Sequence, residues 1–195
     1  MIKKEIILAS SSPRRRELLK SLGIRFKAVK SYVDEELLVK EYKKYGFEKL
    51  VKILSLAKVL SALCKIDKRK AGKIFGFDTI VVCNKKILGK PKNKKDALRM
   101  LLSLSGKQHM VYTGIAMIDL KKKTILFDFG LTKVLMNKIT KEQALNYIKT
   151  KEPMDKAGAY AIQGIGKKFV KKIIGDYYNV VGLPVNKFMK MLGNR

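Results

Sequence analysis

A mixed α/β fold, with a mixed central sheet flanked by helices, is the architecture that this sequence predicts. Three observations predict it. Short apolar runs rich in Ile, Val and Phe alternate with segments of helical spacing from the first residues onward. Turn and cap residues sit at the junctions between them. No internal repeat or low-complexity linker interrupts the pattern. The chain has 195 residues, of which 47% are hydrophobic, which suits one domain or two closely joined lobes and excludes a disordered chain.

Glu5–Ala9 reads as a buried strand, stopped by Ser10-Ser11-Ser12-Pro13. Ser12 suits a helix N-cap, and Pro13 suits the first helical position, where a missing N–H costs nothing. Leu18, Leu19 and Leu22 then give an apolar face, and Gly23 ends the helix. Ile24–Val29 is expected as the next strand. Ser31–Leu38 holds Asp34, Glu35 and Glu36, the densest acidic spot in a basic chain. A helix is expected over Phe47–Cys64, with Leu50, Leu54, Ala57, Val59 and Leu60 on helical spacing. Lys73–Cys83 is the strongest strand, and Asn84-Lys85 turns it into Ile87-Leu88. After the Gly89-Lys90-Pro91 break, Asp96–Leu104 reads as a helix closed by Ser105-Gly106. His109–Leu120 and Thr124–Met136 read as a long hairpin. Glu142–Ile148 is helical after Thr140, Lys149–Gly166 is a loop with a short strand at Ala159–Ile162, Phe169–Ile174 is a strand, and Asn186–Leu192 is a last helix.

Composition narrows the function. Apolar runs such as Ile74–Cys83 fall far short of the roughly 20 residues of a membrane span. The N-terminal apolar run is also too short for a signal-peptide core, so the expectation is a cytosolic protein with no membrane partner. Cys64 and Cys83 form no CxxC pair and sit among aliphatic residues, which reads as buried and inert. With His109 as the single histidine, chemistry falls to Asp, Glu, Lys, Arg and backbone amides. The formal charge is +28, from 44 Lys and Arg against 16 Asp and Glu. Such a charge attracts polyanions. Yet it is spread over Lys3-Lys4, Lys43-Lys44, Lys85-Lys86, Lys121–Lys123, Lys167-Lys168 and Lys171-Lys172. A nucleic-acid binder more often gathers arginines and stacking aromatics into one stripe, so no specific nucleic-acid partner is expected.

Four places carry candidate chemistry. In Ser10–Arg15 a strand ends, small residues expose backbone N–H groups, and a helix begins with its positive dipole end towards the loop, a geometry that binds phosphate. Arg14 and Arg15 in the first turn oppose that dipole, a conflict that an anion would remove. An ordinary capped helix with solvated arginines stands beside this reading. Asp78 interrupts an apolar strand, and a carboxylate there is costly unless paired, metal-bound or facing a cleft. Glu35 offers a second carboxylate, and two hard oxygen ligands plus substrate phosphates are what Mg²⁺ usually takes. Lys90 is fixed between glycine and proline, and Lys58 lies on the apolar side of its helix. Either could neutralise phosphate charge, although snorkelling to the surface accounts for Lys58 taken alone.

ILASSSPRRRELLKSLGI, VDE, GFDTIVV, ILGKP, Leu104–Gly114 as LSG-x-x-H-x-V-x-TG, DKAGAYAIQG and GDYYNVVGLP follow one another. The order and the residues resemble those of the Maf nucleotide pyrophosphatases, which are similar to septum-formation inhibitor proteins of bacteria. The match covers nearly the whole chain. The resemblance implies a single domain over residues 1–195 with two lobes around a cleft, related to the inosine triphosphate pyrophosphatases. It implies cleavage between the α- and β-phosphates of a nucleoside triphosphate, giving the monophosphate and pyrophosphate with a divalent cation, Mg²⁺ or Mn²⁺. Carried over by motif, Ser10, Arg14 and Arg15 hold phosphates, and Ser12 shapes the loop. Glu35, Lys58, Asp78 and Lys90 form the catalytic group, with Asp78 and Glu35 on the metal, and Gln163 contacts the base. Asp155–Gly158 and Gly175–Pro184 look like the branch that acts on dTTP and UTP rather than on 7-methyl-GTP. The alternatives are the same fold acting on 7-methyl-GTP or other modified nucleotides, or a nucleotide-binding regulator of division without significant hydrolysis, and a homodimer is compatible with each. Two departures stand out: Phe77 replaces the usual Ala before Asp78, and Leu54–Val59 reads LSLAKV rather than LA-x-x-KA. Phe77 places the packing beside Asp78 in question.

Overall fold

A computed structural model describes residues 5–193. The Lys3-Lys4 pair lies outside the described residues. In chain order the elements are β1 (Glu5–Ala9), α1 (Pro13–Ser21), β2 (Lys27–Ala28), α2 (Glu35–Tyr42), α3 (Phe47–Leu63), β3 (Ala71–Cys83), β4 (Lys86–Leu88) and α4 (Lys94–Leu104). Then come β5 (Gln108–Asp119), β6 (Thr124–Met136), α5 (Lys141–Lys149), β7 (Val170–Ile174), α6 (Tyr177–Val181) and α7 (Val185–Leu192). Short 3-10 turns fill Lys43–Tyr45, Glu152–Asp155, Ala157–Ala159 and Gly164–Phe169. The seven strands form one mixed sheet in the order β2-β1-β3-β5-β6-β7, with β4 paired to β3. β1 runs parallel to both β2 and β3, whereas β4 and β7 are antiparallel to their partners.

Contacts divide the chain into two compact units. The first comprises Met1–Asp78, Thr113–Gly130 and Gly182–Arg195. Its strands alternate, so successive side chains enter opposite cores. Ile7, Ala9, Ile74, Ala116 and Ile118 meet Val59 and Ala62 of α3 on one face. Leu8, Phe75, Phe77, Ile115 and Met117 meet Leu19 of α1 and Phe188 of α7 on the other. Phe75 meets Phe188 edge-on at 4.8 Å. Helices thus cover both faces around the parallel strands β2, β1 and β3, the arrangement that parallel strands require. Two glycines let α3 lie close. A Cβ on Gly76 would overlap the Ser55 carbonyl oxygen and come 2.7 Å from Val59 Cγ2, and one on Gly114 would overlap the Val51 carbonyl.

The second unit comprises Thr79–Tyr112 and Leu131–Val181. Here α4 packs on α5 and on the Ala157–Ala159 turn, burying Ala97, Met100, Leu101, Leu104, Ala144 and Ile148. Asn93 caps α4 through its side chain. Thr140 and Gln143 form a reciprocal capping box at α5, two orphan donors satisfied by two side chains.

Three expectations are corrected, and one helix is added. The Ile24–Val29 strand shrinks to Lys27–Ala28, an exposed ladder of two pairs at the sheet edge. The expected strand at Ala159–Ile162 is absent, because Gly158 and Ala159 take left-handed φ values of 71° and 59° that no strand can contain. Tyr160 is buried instead by turning its hydroxyl onto His109 Nε2 at 2.7 Å. The acidic stretch carries α2, whose N-cap is Asp34, accepting from the Leu37 N–H at 2.9 Å. Cys64 is exposed as the C-cap of α3, while Cys83 is buried as expected.

Candidate active site

The first unit gathers Ser10, Arg15, Glu35, Lys58 and Asp78. After β1, Ser10 is buried and its Oγ accepts from the Ser12 N–H at 3.2 Å, curling the loop before α1. Pro13 opens that helix, and Ser12 holds the N-cap position without a capping bond from its side chain among the described residues. Arg14 is half-buried in the first turn.

Arg15 is turned inwards. Its Nε donates to the Gly182 carbonyl at 2.7 Å, and its Nη1 donates to the Phe77 carbonyl at 3.0 Å and to Ser10 Oγ at 3.3 Å. One rigid guanidinium fork therefore ties the loop to the residue before Asp78 and to the GDYYNVVGLP segment. Burial lowers the Arg15 pKa to about 10, partly offset by the Asp78 charge, so the group stays cationic at neutral pH.

Asp78 sits at the end of this unit's part of β3 and is 6% exposed. Gly76 lies two residues earlier on the same face, against Ser55. Lys58 lies three residues beyond Ser55, one turn along α3. Close backbone approach at Gly76 thus carries Lys58 onto Asp78. Lys58, 8% exposed, donates its ammonium to Asp78 Oδ1 and pairs with Glu35 Oε1 at 3.0 Å. Snorkelling is therefore not what Lys58 does: its charge turns inwards between two carboxylates. Glu35 reaches this position from the first turn of α2, where the helix dipole favours a carboxylate. Phe77, one residue from Asp78, points to the opposite face and stacks on Phe75. The larger side chain is absorbed by the α1 and α7 core, away from the carboxylate group.

Among the described residues, no three His, Cys, Asp or Glu side chains converge as a metal-ligand cluster. Glu35 and Asp78 do converge, on one cation. Two carboxylates, with water and phosphate oxygens completing the shell, suit Mg²⁺ or Mn²⁺ by the chemistry of the donors.

In the second unit, Lys90 follows β4 and is exposed, but its backbone is held on both sides. Pro91 is buried, and the Gly89 carbonyl accepts from the Gly158 N–H at 3.0 Å. Gly158 in turn leaves no ordinary room for a side chain, since a Cβ would come 3.1 Å from Val81 Cγ1. The DKAGAYAIQG and ILGKP motifs brace each other there. Gln163 is exposed, in extended backbone just before the Gly164–Phe169 turn. Glu152, not singled out in the sequence, anchors that turn with its carboxylate. The scarcity of acids in a +28 chain was the signal that could have found it.

An inward-turned arginine tying a serine loop to a carboxylate and lysine group on an α/β sheet suits a protein that handles phosphorylated ligands. Residues 5–195 match the family model described as Maf-like protein. The chain belongs to that family. It is 48% identical over 189 residues to a "dTTP/UTP pyrophosphatase" of Clostridium botulinum, covering 97% of this chain and 96% of the relative. A protein of the same name from Clostridium acetobutylicum is 46% identical over 194 residues, covering 96% of each chain. Another from Thermoanaerobacter sp. is 46% identical over 188 residues, covering 96% of this chain and 95% of the relative.

Proposed function

We propose that this protein is a nucleoside triphosphate pyrophosphatase that cleaves dTTP and UTP between the α- and β-phosphates. The observation that carries the reading is the Arg15 tie, which joins the serine loop to the strand of Asp78 through Ser10 Oγ and the Phe77 carbonyl. The names of the relatives support the reaction and its pyrimidine substrates.

In the proposed reaction, loop N–H groups, Ser10 and Arg14 hold the phosphates, and Arg15 braces the loop while adding its charge. Asp78 takes a proton from a water molecule as that oxygen attacks the α-phosphorus. The bond from the α-phosphorus to the bridging oxygen breaks, and pyrophosphate leaves with the electron pair. Lys58 holds the Asp78 carboxylate in place for this task. Glu35 and Asp78 would hold a divalent cation, which supplies charge neutralisation to the phosphates. Lys90 is assigned to phosphate charge and Gln163 to the base. A Gln amide carries a donor and an acceptor in one plane, matching the O4 and N3–H edge of uracil and thymine. Cytosine inverts that edge and would leave polar groups unpaired.

The test is a panel of dTTP, UTP, CTP, GTP and 7-methyl-GTP with Mg²⁺ or Mn²⁺, scored by pyrophosphate release. Wild type should favour dTTP and UTP, and Asp78→Asn should lose about 10²- to 10⁴-fold in turnover while remaining folded. Preference for GTP or 7-methyl-GTP would refute the pyrimidine assignment. An Asp78→Asn protein with wild-type turnover would remove Asp78 from the chemistry.

A further inference from the structure

Glu152 opens the Glu152–Asp155 3-10 turn, after Lys151 in left-handed backbone, and its side chain reaches forward over thirteen residues of chain. Oε2 accepts from the Ile165 N–H at 3.1 Å. Oε1 accepts from the Gly166 N–H at 3.1 Å and from the Tyr147 hydroxyl at 2.8 Å. Two successive backbone N–H groups and a phenol thus close on one carboxylate, a nest for an anion filled by the protein's own side chain. Burial alone would raise the Glu152 carboxyl, but the N–H donors of Gly166 and Ile165 and the Tyr147 hydroxyl outweigh it and hold it below the usual value.

The turn can take this shape only where side chains are missing. Gly164 has a left-handed φ of 70°, and a Cβ there would come 2.8 Å from Glu152 Oε2. A Cβ on Gly166 would meet the Tyr147 hydroxyl at 2.5 Å and the Ala161 carbonyl at 2.6 Å. Tyr147 is itself fixed, buried on α5 with its ring edge-on to Phe169 at 5.2 Å. From α5 to Glu152 to the Gly164–Gly166 backbone, each link is a hydrogen bond or a tight packing contact. Gln163 is the residue where this turn begins.

We propose that Glu152 is a positioning residue for base selection: by holding the Ile165 and Gly166 amides it sets the direction of Gln163, and so the preference for uracil and thymine over cytosine. This rests on the assignment of Gln163 to the base. Glu152 touches no substrate, so its loss acts through geometry.

The experiment compares Glu152→Gln, Gln163→Leu and the double variant by the ratio of kcat/KM for UTP to that for CTP. A neutral amide presents an N–H group to at least one of the three donors and loosens the turn. Glu152→Gln should lower the ratio about five-fold, the scale of one or two lost net hydrogen bonds, with the change mainly in KM. In the Gln163→Leu background the same substitution should lower the ratio no further, because the group it positions is gone. A ratio unchanged in Glu152→Gln while Gln163→Leu lowers it overturns the positioning role and leaves the base assignment standing. Independent, additive effects also overturn it. A ratio unchanged in Gln163→Leu overturns the base assignment and this proposal with it. If Glu152→Gln does not fold, Tyr147→Phe, which removes one donor from the same carboxylate, decides: a lowered ratio supports the proposal and an unchanged one overturns it.

Discussion

Replacing Lys58 with methionine keeps an unbranched side chain one atom shorter and removes the ammonium held between Asp78 and Glu35. Lys58 and Asp78 are both buried, at 8% and 6% exposure. Breaking a buried pair by deleting one partner costs about 3–5 kcal/mol, because the remaining charge is left uncompensated. The Glu35 arm adds little. Its side chain is 40% exposed, and a solvent-screened pair contributes roughly 0–1 kcal/mol. The lower end of the range, about 3 kcal/mol, is therefore expected. For a domain of this length each kcal/mol moves the melting temperature by about 2–4 °C, so Lys58→Met should melt about 6–12 °C below wild type at pH 7. The assay is thermal unfolding followed by far-ultraviolet circular dichroism, with calorimetry to confirm one transition. An unchanged melting temperature in Lys58→Met would refute the inward-turned ion pair and with it the account of how Asp78 is held.

The remaining expectations concern packing and pH. Gly114→Ala should destabilise by about 3 kcal/mol or more, since the Val51 carbonyl that its Cβ would overlap is helix backbone and cannot turn aside. Gly89→Ala, whose Cβ meets nothing within 4 Å, should stay within about 0.5 kcal/mol, and denaturant midpoints of the two variants check both. Burial pushes the His109 imidazole down to about 4, below its unfolded value of about 6.5. The folded state therefore binds fewer protons, so this contribution is present above pH 6.5 and is lost as pH falls towards 4. Its size is about 3 kcal/mol. Stability measured from pH 7 to 4.5 should fall less steeply in His109→Gln than in wild type, and parallel slopes would contradict the depressed imidazole.

Sequence legibility followed the range of the forces involved. Local signals were readable: Ser12-Pro13 starts α1, Thr140 with Gln143 starts α5, and Asn84-Lys85 takes the left-handed turn that joins β3 to β4. The long apolar strands were readable because burial on both faces of the sheet gives near-continuous apolar runs. α2 was missed as a helix because no residue in it is buried, so it carries no core stripe. The false strand at Ala159–Ile162 came from apolar residues whose burial follows from turns at Gly158 and Ala159, not from a ladder. At the candidate site, Asp78 and Lys58 were visible as charges in apolar patterns. What no local pattern could show is direction. Arg15 turns to main-chain carbonyls contributed by Phe77 and Gly182, the latter 167 residues away, and only the folded chain brings them together. Glu152 was hidden for the same reason, since its partners Ile165 and Gly166 are plain backbone amides.

The site of bond cleavage is the claim on which the rest depends, and oxygen-18 water tests it directly. With UTP and Mg²⁺, hydrolysis in labelled water followed by mass spectrometry of both products reports which phosphorus the water attacked. UMP should carry one oxygen-18 and pyrophosphate none. Label in pyrophosphate would place the attack at the β-phosphorus, and UDP with labelled inorganic phosphate would place it at the γ-phosphorus. Either result would contradict the mechanism assigned to Asp78.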